Sequence, residues 1–393
     1  MPAITASPAL AHLRILDLTR VRSGPTCVKQ FADFGADVIK IEATVAEDFG
    51  APRESPDFQN LHRNKRSLTL DLKKPEGREV FMRLVKTADV VVENFRPDVK
   101  ARLGIDYDSL RAVNKRIILA SISGFGQDGP YRERPGLDQI AQGMSGIMSV
   151  TGAPGEGPMR AGAAVCDVTA GLLAALGIMT ALLERERSGE GQWVQSTLLQ
   201  AGLQVLDFQA ARYTMRGEVP EQVGNDHPTN VPSSAYTTAD GYVSVAATGS
   251  AFWKRLCDVI GRPDLVTNPD FADNPSRIKN RKALNDTINA AMKTKTTAEW
   301  VAILNEAEIP CGPIYKMDQV FADEQMQHLG VTSQVEHPRL GTLKILSQFA
   351  TLMRTPGVVK TASPERGQHT DEVLYEAGYS DAEIARLHAN AVV

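Results

Sequence analysis

In the N-terminal part of the chain, short apolar runs alternate with segments that carry helix signals. Five of these runs are predicted strands: 13–19, 36–42, 66–72, 89–95 and 116–123. Pro25 and Pro75 lie where predicted helices begin, and Gly35 follows the first helix at the position where glycine commonly ends a helix. This alternation predicts an α/β fold with a parallel sheet, whose near-continuous apolar strands are buried on both faces.

The rest of the chain has a different pattern. Residues 135–215 are rich in helix signals with one predicted strand, and 216–232 are polar and rich in Gly and Pro, as in a linker. A predicted hairpin then turns at Asp240–Gly241. We therefore predict a large Rossmann-like domain, a linker, a smaller α+β domain and a return linker, with these bounds: 1–215 completed by 330–393, 216–232, 233–320 and 321–329.

Composition narrows the class of protein. The 393 residues are 42% apolar and 23% charged with a net charge of −4, which is typical of a globular protein and argues against nucleic acid or anionic membrane as partners. The basic cluster 62–66 is still a candidate for binding a phosphate. The apolar stretch 168–183 is shorter than the roughly 20 residues of a membrane span, so we expect a buried helix.

The cysteines and the first residues bear on the compartment. Cys27, Cys166, Cys257 and Cys311 are widely spaced, which indicates neither a zinc site nor a disulfide framework. The N-terminal segment lacks the charged and apolar regions of a signal peptide. These observations predict a cytoplasmic protein without a bound metal.

A glycine motif, Gly124-x-Gly126-x-x-Gly129, follows the fifth predicted strand. Its spacing is that of dinucleotide-binding loops, which need a helix directly after the glycines to hold the pyrophosphate. The next residues, 130–136, contain two prolines and cannot begin that helix in register. A nicotinamide oxidoreductase is therefore a remote alternative, and the glycines are read as a sharp turn whose amides can face a ligand.

Asp167 lies between small residues and a long apolar helix pattern. One interpretation is structural, because Asp is a favoured residue at the N-cap of a helix. The other is chemical: a carboxylate at a helix N-terminus is kept ionised by the helix dipole, and an ionised Asp can attack a carbonyl to form a covalent acyl intermediate. The residues alone leave both interpretations open.

Motifs along nearly the whole chain carry a resemblance to a known family. They are "LDLTRVRSGP" (16–25), "FGADVIKIE" (34–42), "NKRSLTLDLKKPEG" (64–77), "VENFRPDVKARLGIDY" (92–107), "ILASISGFGQDGP" (118–130), "GAAVCDVTAG" (162–171), "SGEGQWV" (188–194), "IPCGP" (309–313) and "HTDEVLYEAGYSDAEI" (369–384). In these motifs the chain resembles the class III CoA-transferase family, which includes formyl-CoA:oxalate and carnitine-type CoA-transferases and is related to α-methylacyl-CoA racemase.

The resemblance implies a fold and a chemistry. The family fold is a homodimer of two interlocked rings, each with a Rossmann-like large domain and a small domain. Asp167 matches the family nucleophile, which attacks an acyl-CoA thioester to give a mixed anhydride and then an aspartyl-CoA thioester. CoA is a substrate in this chemistry, and we expect no other cofactor.

The resemblance also implies binding residues. By position, Leu70 and Leu72 flank the adenine of CoA, and further contacts come from Lys73, Asn94, Phe95 and Arg102. The loop with Gly124 and Gly126 belongs to the scaffold of the acyl-CoA site, and its amides are candidates to stabilise oxyanions. Each has a plainer reading: Lys73 solvated, Phe95 in the core, Arg102 in a surface ion pair of little energetic value.

Two departures from the family pattern restrict the reaction. Leu137 occupies the position of the histidine that the racemase branch uses for proton exchange, which argues against racemisation. Arg22 replaces the glutamine of the oxalate enzymes, and their run of four glycines is missing, which makes oxalate a poor substrate. Because guanidinium is the preferred bidentate partner of a carboxylate, we hypothesise that Arg22 holds the distal carboxylate of a dicarboxylic acyl group. The alternative is an exposed Arg22 paired with an acid such as Glu47.

The sequence thus predicts a CoA-transferase that moves CoA from succinyl-CoA or another short dicarboxyl-CoA to a short carboxylic or dicarboxylic acid. Three alternatives stay open: an acyl-CoA racemase or isomerase, CoA transfer between the two carboxylates of one acid, and a non-catalytic acyl-CoA-binding protein.

Overall fold

The computed structural model describes residues 6–45 and 50–393. The chain divides into two compact units, each of which is described by itself. The first unit comprises Met1–Ile147, Ala161–Arg216 and Leu329–Val393, and the second comprises Met148–Arg160 and Gly217–His328. The linker roles of 216–232 and 321–329 stay predictions.

The secondary structure is numbered in chain order through both units. The strands are β1 Arg14–Asp17, β2 Asp37–Glu42, β3 Arg66–Thr69, β4 Val90–Glu93, β5 Ile118–Ser123, β6 Trp193–Thr197, β7 Ser233–Thr237, β8 Tyr242–Ala246, β9 Cys311–Pro313, β10 Thr332–His337 and β11 Gly341–Leu346. The helices are α1 Ser23–Asp33, α2 Pro56–His62, α3 Pro75–Val85, α4 Pro97–Leu103, α5 Tyr107–Val113, α6 Asp138–Met144, α7 Ile147–Val150, α8 Val165–Ser188, α9 Leu198–Leu206, α10 Phe208–Arg216, α11 Ser250–Val259, α12 Asn274–Lys279, α13 Arg281–Met292, α14 Thr297–Glu306, α15 Met317–Ala322, α16 Glu324–His328, α17 Thr370–Glu376 and α18 Asp381–Ala389.

A six-stranded sheet forms the centre of the first unit, in the order β3-β2-β1-β4-β5-β6, with every neighbouring pair parallel. The predicted parallel α/β sheet is confirmed. Alternate residues of β4 point to opposite faces: Val90 and Val92 join the core with α1 and α8, and Val91 joins the core with α3, α17 and α18. Both faces are covered, which is why the first three residues of β4 are all valine.

Helix α8 crosses one face of the sheet and packs closely on α1. A side chain at Gly171 would meet the backbone oxygen of Ser23 at 2.4 Å, so only glycine permits this approach. By length and composition, α8 is the one helix among the described residues that could also span a membrane. That alone is weak evidence, because Ala170, Ala174 and Ile178 lie in the core of this unit, as they would in a globular protein.

The basic cluster 62–66 is buried rather than open to a phosphate, so that candidate role is wrong. Arg63, Lys65 and Arg66 have almost no exposed surface. They form ion pairs of 2.7–2.8 Å with three acidic side chains of the sheet and α1, namely Asp33, Asp17 and Asp37. Burial of a charge is tolerated when it is paired and hydrogen-bonded, and these residues hold β3 to its neighbours.

The second unit contains an antiparallel sheet in the order β7-β8-β9 and helices around it. The predicted hairpin is confirmed: Thr237 pairs with Tyr242, and the amide of Thr238 donates to the Gly241 carbonyl at 2.9 Å. The hydrophobic core of the second unit contains Tyr236, Trp253 and other buried apolar side chains.

Candidate active site

The site begins in the turn between β1 and α1. Val21 has φ +62°, a left-handed conformation that β-branched residues rarely adopt, and it lies directly before Arg22. Such strained residues concentrate at functional sites, where the surroundings hold them. Helix α1 starts at Ser23, directly after this turn. Because α1 packs against α8 at Ser23, the turn lies near the first residues of α8.

Asp167 is the third residue of α8, and its side chain does not cap the helix. The N-cap is Ala164, which makes no side-chain cap. The structural interpretation of Asp167 as an N-cap is therefore wrong. Its carboxylate is half-buried and lies beside Ser23 and Arg22 at the start of α1.

Asp138 supplies the missing cap from a different helix, which sequence reasoning missed. Its Oδ1 accepts the amides of Cys166 at 2.9 Å and Asp167 at 3.2 Å, and its Oδ2 accepts Gln142 Nε2 at 2.6 Å. The available signal was the Pro-Gly pair that precedes Asp138, which marks the start of α6. Two carboxylates thus share the N-terminus of α8, and Asp138 is the one that accepts its amides.

The surroundings of Asp167 make its carboxyl group less acidic than usual. Burial raises the pKa of Asp167 to about 6, and the negative charge of Asp138 adds to the rise. The charge of Arg22 and a hydrogen bond from Ser23 act in the opposite direction. The carboxyl is still mainly ionised near neutral pH, as a nucleophile must be.

Arg22 is partly exposed and forms an ion pair with an acidic side chain, as in the alternative that the sequence left open. Arg22 Nη2 lies 2.9 Å from Asp57 Oδ1, on helix α2. Glu47, the acid considered from the sequence, lies outside the described residues. The role of Arg22 toward a substrate carboxylate stays a prediction.

A cavity of about 1190 Å³ opens at the carboxyl edge of β1, β2 and β4 in the first unit. Open parallel sheets bind ligands at this edge. Among the residues that the structure describes in its lining, seven side chains are basic and only Glu42 and Asp71 are acidic. The basic residues are Arg20, Lys40, Arg53, Lys73, Arg78, Arg102 and Arg366. This excess of positive charge suits a ligand with several phosphate groups.

Five of the six residues expected to contact CoA line this one cavity: Leu70, Leu72, Lys73, Phe95 and Arg102. The sixth, Asn94, does not line the cavity, but it exchanges two hydrogen bonds of 2.9 and 2.8 Å with the backbone of Arg20, which does. That exchange joins the turn after β1 to the turn after β4. The structure thus brings together residues that are far apart in the sequence.

Local contacts of these residues agree in part with their plainer readings. Phe95 packs against the core, and the Arg20 guanidinium lies 5.3 Å from its ring centre. Arg102 is exposed and pairs loosely with Asp98 at 3.7 Å. Both side chains line the cavity despite these contacts, and each can still reach a ligand there. Their binding of CoA stays a prediction.

The glycine loop after β5 is a turn and not a dinucleotide-binding loop, because the next helix starts only at Asp138. Gly124 permits a close approach, since a side chain there would meet Gly136 Cα at 2.7 Å. The Gly126 amide donates to Ser123 Oγ at 3.0 Å, so it would have to leave Ser123 to serve an oxyanion. Leu137, at the racemase histidine position, is 56% exposed and carries no proton-transfer group.

Comparison with known proteins identifies the family. The family model of CoA-transferase family III matches residues 10–370 of the chain. The chain belongs to CoA-transferase family III. The predicted resemblance is confirmed, and the chain is a class III CoA-transferase by family.

Individual relatives support this assignment. A succinate–glutarate CoA-transferase of Agrobacterium fabrum is 38% identical over 94% of this chain and 96% of its own length. A formyl-CoA:oxalate CoA-transferase of Bradyrhizobium is also 38% identical, over 97% of this chain and 96% of its own. Among solved structures, a CaiB/BaiF family protein from Brucella suis has a TM-score of 0.82 at 33% identity and covers 94% of this chain and 99% of its own.

Proposed function

We propose that this enzyme transfers CoA between short dicarboxylic acids, with succinyl-CoA or a similar thioester as donor and Asp167 as nucleophile. The observation that carries the proposal is the placement of Asp167: half-buried at the start of α8, beside Arg22, with the helix amides already taken by Asp138. The carboxylate is held in place without being neutralised by a bound partner.

The reaction needs no external base. The Asp167 carboxylate attacks the donor thioester carbonyl and expels CoA thiolate, which leaves a mixed anhydride. The thiolate attacks the Asp167 carbonyl of the anhydride, which releases the donor acid and forms an aspartyl-CoA thioester. The acceptor carboxylate attacks this thioester, and the released thiolate attacks the acceptor carbonyl, which restores the Asp167 carboxylate. Charge and protons balance over the cycle, so no histidine is required.

Two observations support a dicarboxylic substrate. Relatives of similar identity are named for pairs of diacids, as in the succinate–glutarate enzyme, and identity does not separate these from the formyl-CoA:oxalate enzyme. Arg22 is the second observation, because a guanidinium whose charge reaches the proposed nucleophile offers a distal carboxylate a charged partner. The basic cavity supports the CoA part of the substrate in the same way.

The first test is a mass-spectrometric scan of CoA thioesters. The purified enzyme is mixed with succinyl-CoA and a pool of short mono- and dicarboxylic acids, beside an Asp167→Asn control. New thioesters of diacids that are missing in the control support the proposal. Formation of no new thioester, or equal formation in the control, contradicts it.

The second test concerns Arg22. The Arg22→Ala variant should raise KM for a diacid at least about tenfold, the value of a charge-assisted hydrogen bond, and change KM for the matching monoacid little. Equal effects on the two acids would refute a role for Arg22 in binding the distal carboxylate.

The interlocked homodimer is part of the proposal. Three outward residues of α8, Leu172, Leu176 and Leu183, are 47–69% exposed and form an apolar stripe that a second copy of the chain would cover. Light scattering on the purified protein measures the mass in solution. A monomer at all concentrations would contradict this part. A cytoplasmic location and the absence of a further cofactor or metal are proposed on the sequence alone.

A further inference from the structure

Helix α2 links the basic cavity to the nucleophile. Phe58 and His62 of this short helix line the cavity, while Asp57 beside them holds Arg22. Arg22 in turn is near enough to Asp167 for its charge to affect that carboxyl group. A single guanidinium is therefore paired with one carboxylate of the enzyme and acts electrostatically on a second, at the place where the proposed substrate brings a third.

The placement of Asp57 does not depend on Arg22. Ser55 Oγ accepts the amide of Phe58 at 3.3 Å and Pro56 starts the helix, so α2 begins through its own residues. Gln59 Nε2 also donates to the Arg53 carbonyl at 2.8 Å, which fixes the loop before the helix. Arg22, for its part, follows the left-handed Val21. The two charged groups are thus brought together from two separately held segments.

The ion pair between them is weak enough to be exchanged. The Arg22 side chain is 33% exposed and that of Asp57 is 62% exposed. Pairs with this exposure change an equilibrium by about fivefold at most. By contrast, the pair between Arg63 and Asp33 has no exposed surface in either side chain and is part of the fold. An exposed Asp57 can return to water when another carboxylate takes its guanidinium, with little loss of solvation.

We propose that Asp57 competes with the substrate for Arg22 and so sets how tightly a dicarboxylic acid binds: it holds Arg22 in the empty enzyme and gives it up to the distal carboxylate of the diacid. This inference rests on the proposed function. A monocarboxylic acid brings nothing to displace Asp57, so Arg22 stays paired and adds nothing to its binding. When a diacid binds, its distal carboxylate replaces that of Asp57 on Arg22. The positive charge of Arg22 therefore has a carboxylate partner both before and after binding. Asp57 acts through Arg22 and is a positioning residue.

The test compares glutarate with pentanoate, which differ by one carboxylate at equal chain length, as acceptors from succinyl-CoA. The full-length enzyme is compared with Asp57→Asn, Arg22→Ala and the double variant. In Asp57→Asn the KM for glutarate should fall by about two- to fivefold because the competing charge is gone, with kcat and the KM for pentanoate unchanged. In the Arg22→Ala background the same substitution should have no effect.

Other outcomes overturn the inference. A higher KM for glutarate in Asp57→Asn would mean that Asp57 supports Arg22 instead of competing for it. An unchanged KM, or equal changes for both acids, would mean that Asp57 takes no part in selection. The matched control is Asp264→Asn, whose pair with Arg262 is similarly exposed and lies in the second unit.

A binding measurement separates this inference from the proposed function. The rise in melting temperature caused by free glutarate should be larger in Asp57→Asn than in the unaltered enzyme, and pentanoate should cause no such difference. If the unaltered enzyme transfers no CoA, the proposed function fails while this measurement still tests Asp57. If transfer occurs but the glutarate response is the same in both proteins, the inference about Asp57 fails alone.

Discussion

Two aspartates of the first unit stand in similar places and differ in their surroundings. Asp17 ends β1 and is buried, and Asp167 lies in the first turn of α8 and is half-buried. Asp17 lies 2.8 Å from Lys65 Nζ. Burial alone would raise the pKa of Asp17, but the charges of Lys65 and Lys40 outweigh it and hold that pKa below its usual value. The pKa of Asp167 is instead raised to about 6.

The difference lies in the nearest charge. Asp17 has two ammonium groups beside it, and its Oδ1 also accepts the amide and hydroxyl of Thr19. Asp167 has another carboxylate, Asp138, at the same helix end. A carboxylate fully matched by cations is a structural element with no capacity left for reaction. A carboxylate that is only partly compensated keeps its electron pairs available and is a candidate nucleophile.

The largest effect should come from removing the partly compensated carboxylate. We expect Asp167→Asn to reduce CoA transfer to below about one-thousandth, as removal of a covalent nucleophile does. The rate of thioester exchange measures this. Transfer above one-tenth of the original rate would show that Asp167 is not the nucleophile.

The same variant should be more stable than the unaltered enzyme at pH 7. The folded pKa of about 6 exceeds the ordinary value of roughly 4, so the folded state binds the proton more tightly. Stability from this group is therefore greatest below pH 4 and is lost as the pH rises through 6. Melting curves at several pH values should show a gain from Asp167→Asn that grows between pH 4 and 6 and then levels off. A lower melting temperature at pH 7 would contradict the raised pKa.

Removing the carboxylate of Asp17, which is paired with Lys65, should lower the stability of the fold. Asp17→Asn leaves the buried Lys65 charge without its partner, which typically costs about 3–5 kcal/mol in the free energy of unfolding. Urea denaturation measures the loss, with Asp286→Asn of the exposed pair with Lys282 as control. A loss no greater than the roughly 0.5 kcal/mol of surface substitutions would refute the comparison.

The smallest expected effect is on the pH dependence of the reaction when Asp138, the neighbour of Asp167, loses its charge. In Asp138→Asn the side chain keeps an acceptor oxygen for the amides of Cys166 and Asp167 but loses its negative charge. The pKa of Asp167 should fall, although burial keeps it above its ordinary value. We expect the acid limb of the kcat/KM profile near pH 6 in the unaltered enzyme and at lower pH in this variant. An unmoved limb would show that Asp138 serves only as a helix cap.

Much of the first unit was predictable because its signals are local. The continuous apolar run of β4 predicts a strand buried on both faces, and Gly35, with φ +97°, follows the end of α1 as predicted. The motif match led directly to the family, since the whole chain carries it in order. Asp167 was identified in the same way, as a position in a motif rather than from its surroundings.

What the sequence by itself determined is the order of strands and helices, the family and the candidate nucleophile, because each depends on neighbouring residues or on a motif. The partners of charged side chains depended on the tertiary structure. Asp57 is 35 positions from Arg22, and Asp138 is 29 from Asp167. The cluster at 62–66 looked like a phosphate site because its acidic partners lie on other strands and on α1. Charges act through space over a few ångströms, so only the fold decides which are matched and which are left for chemistry.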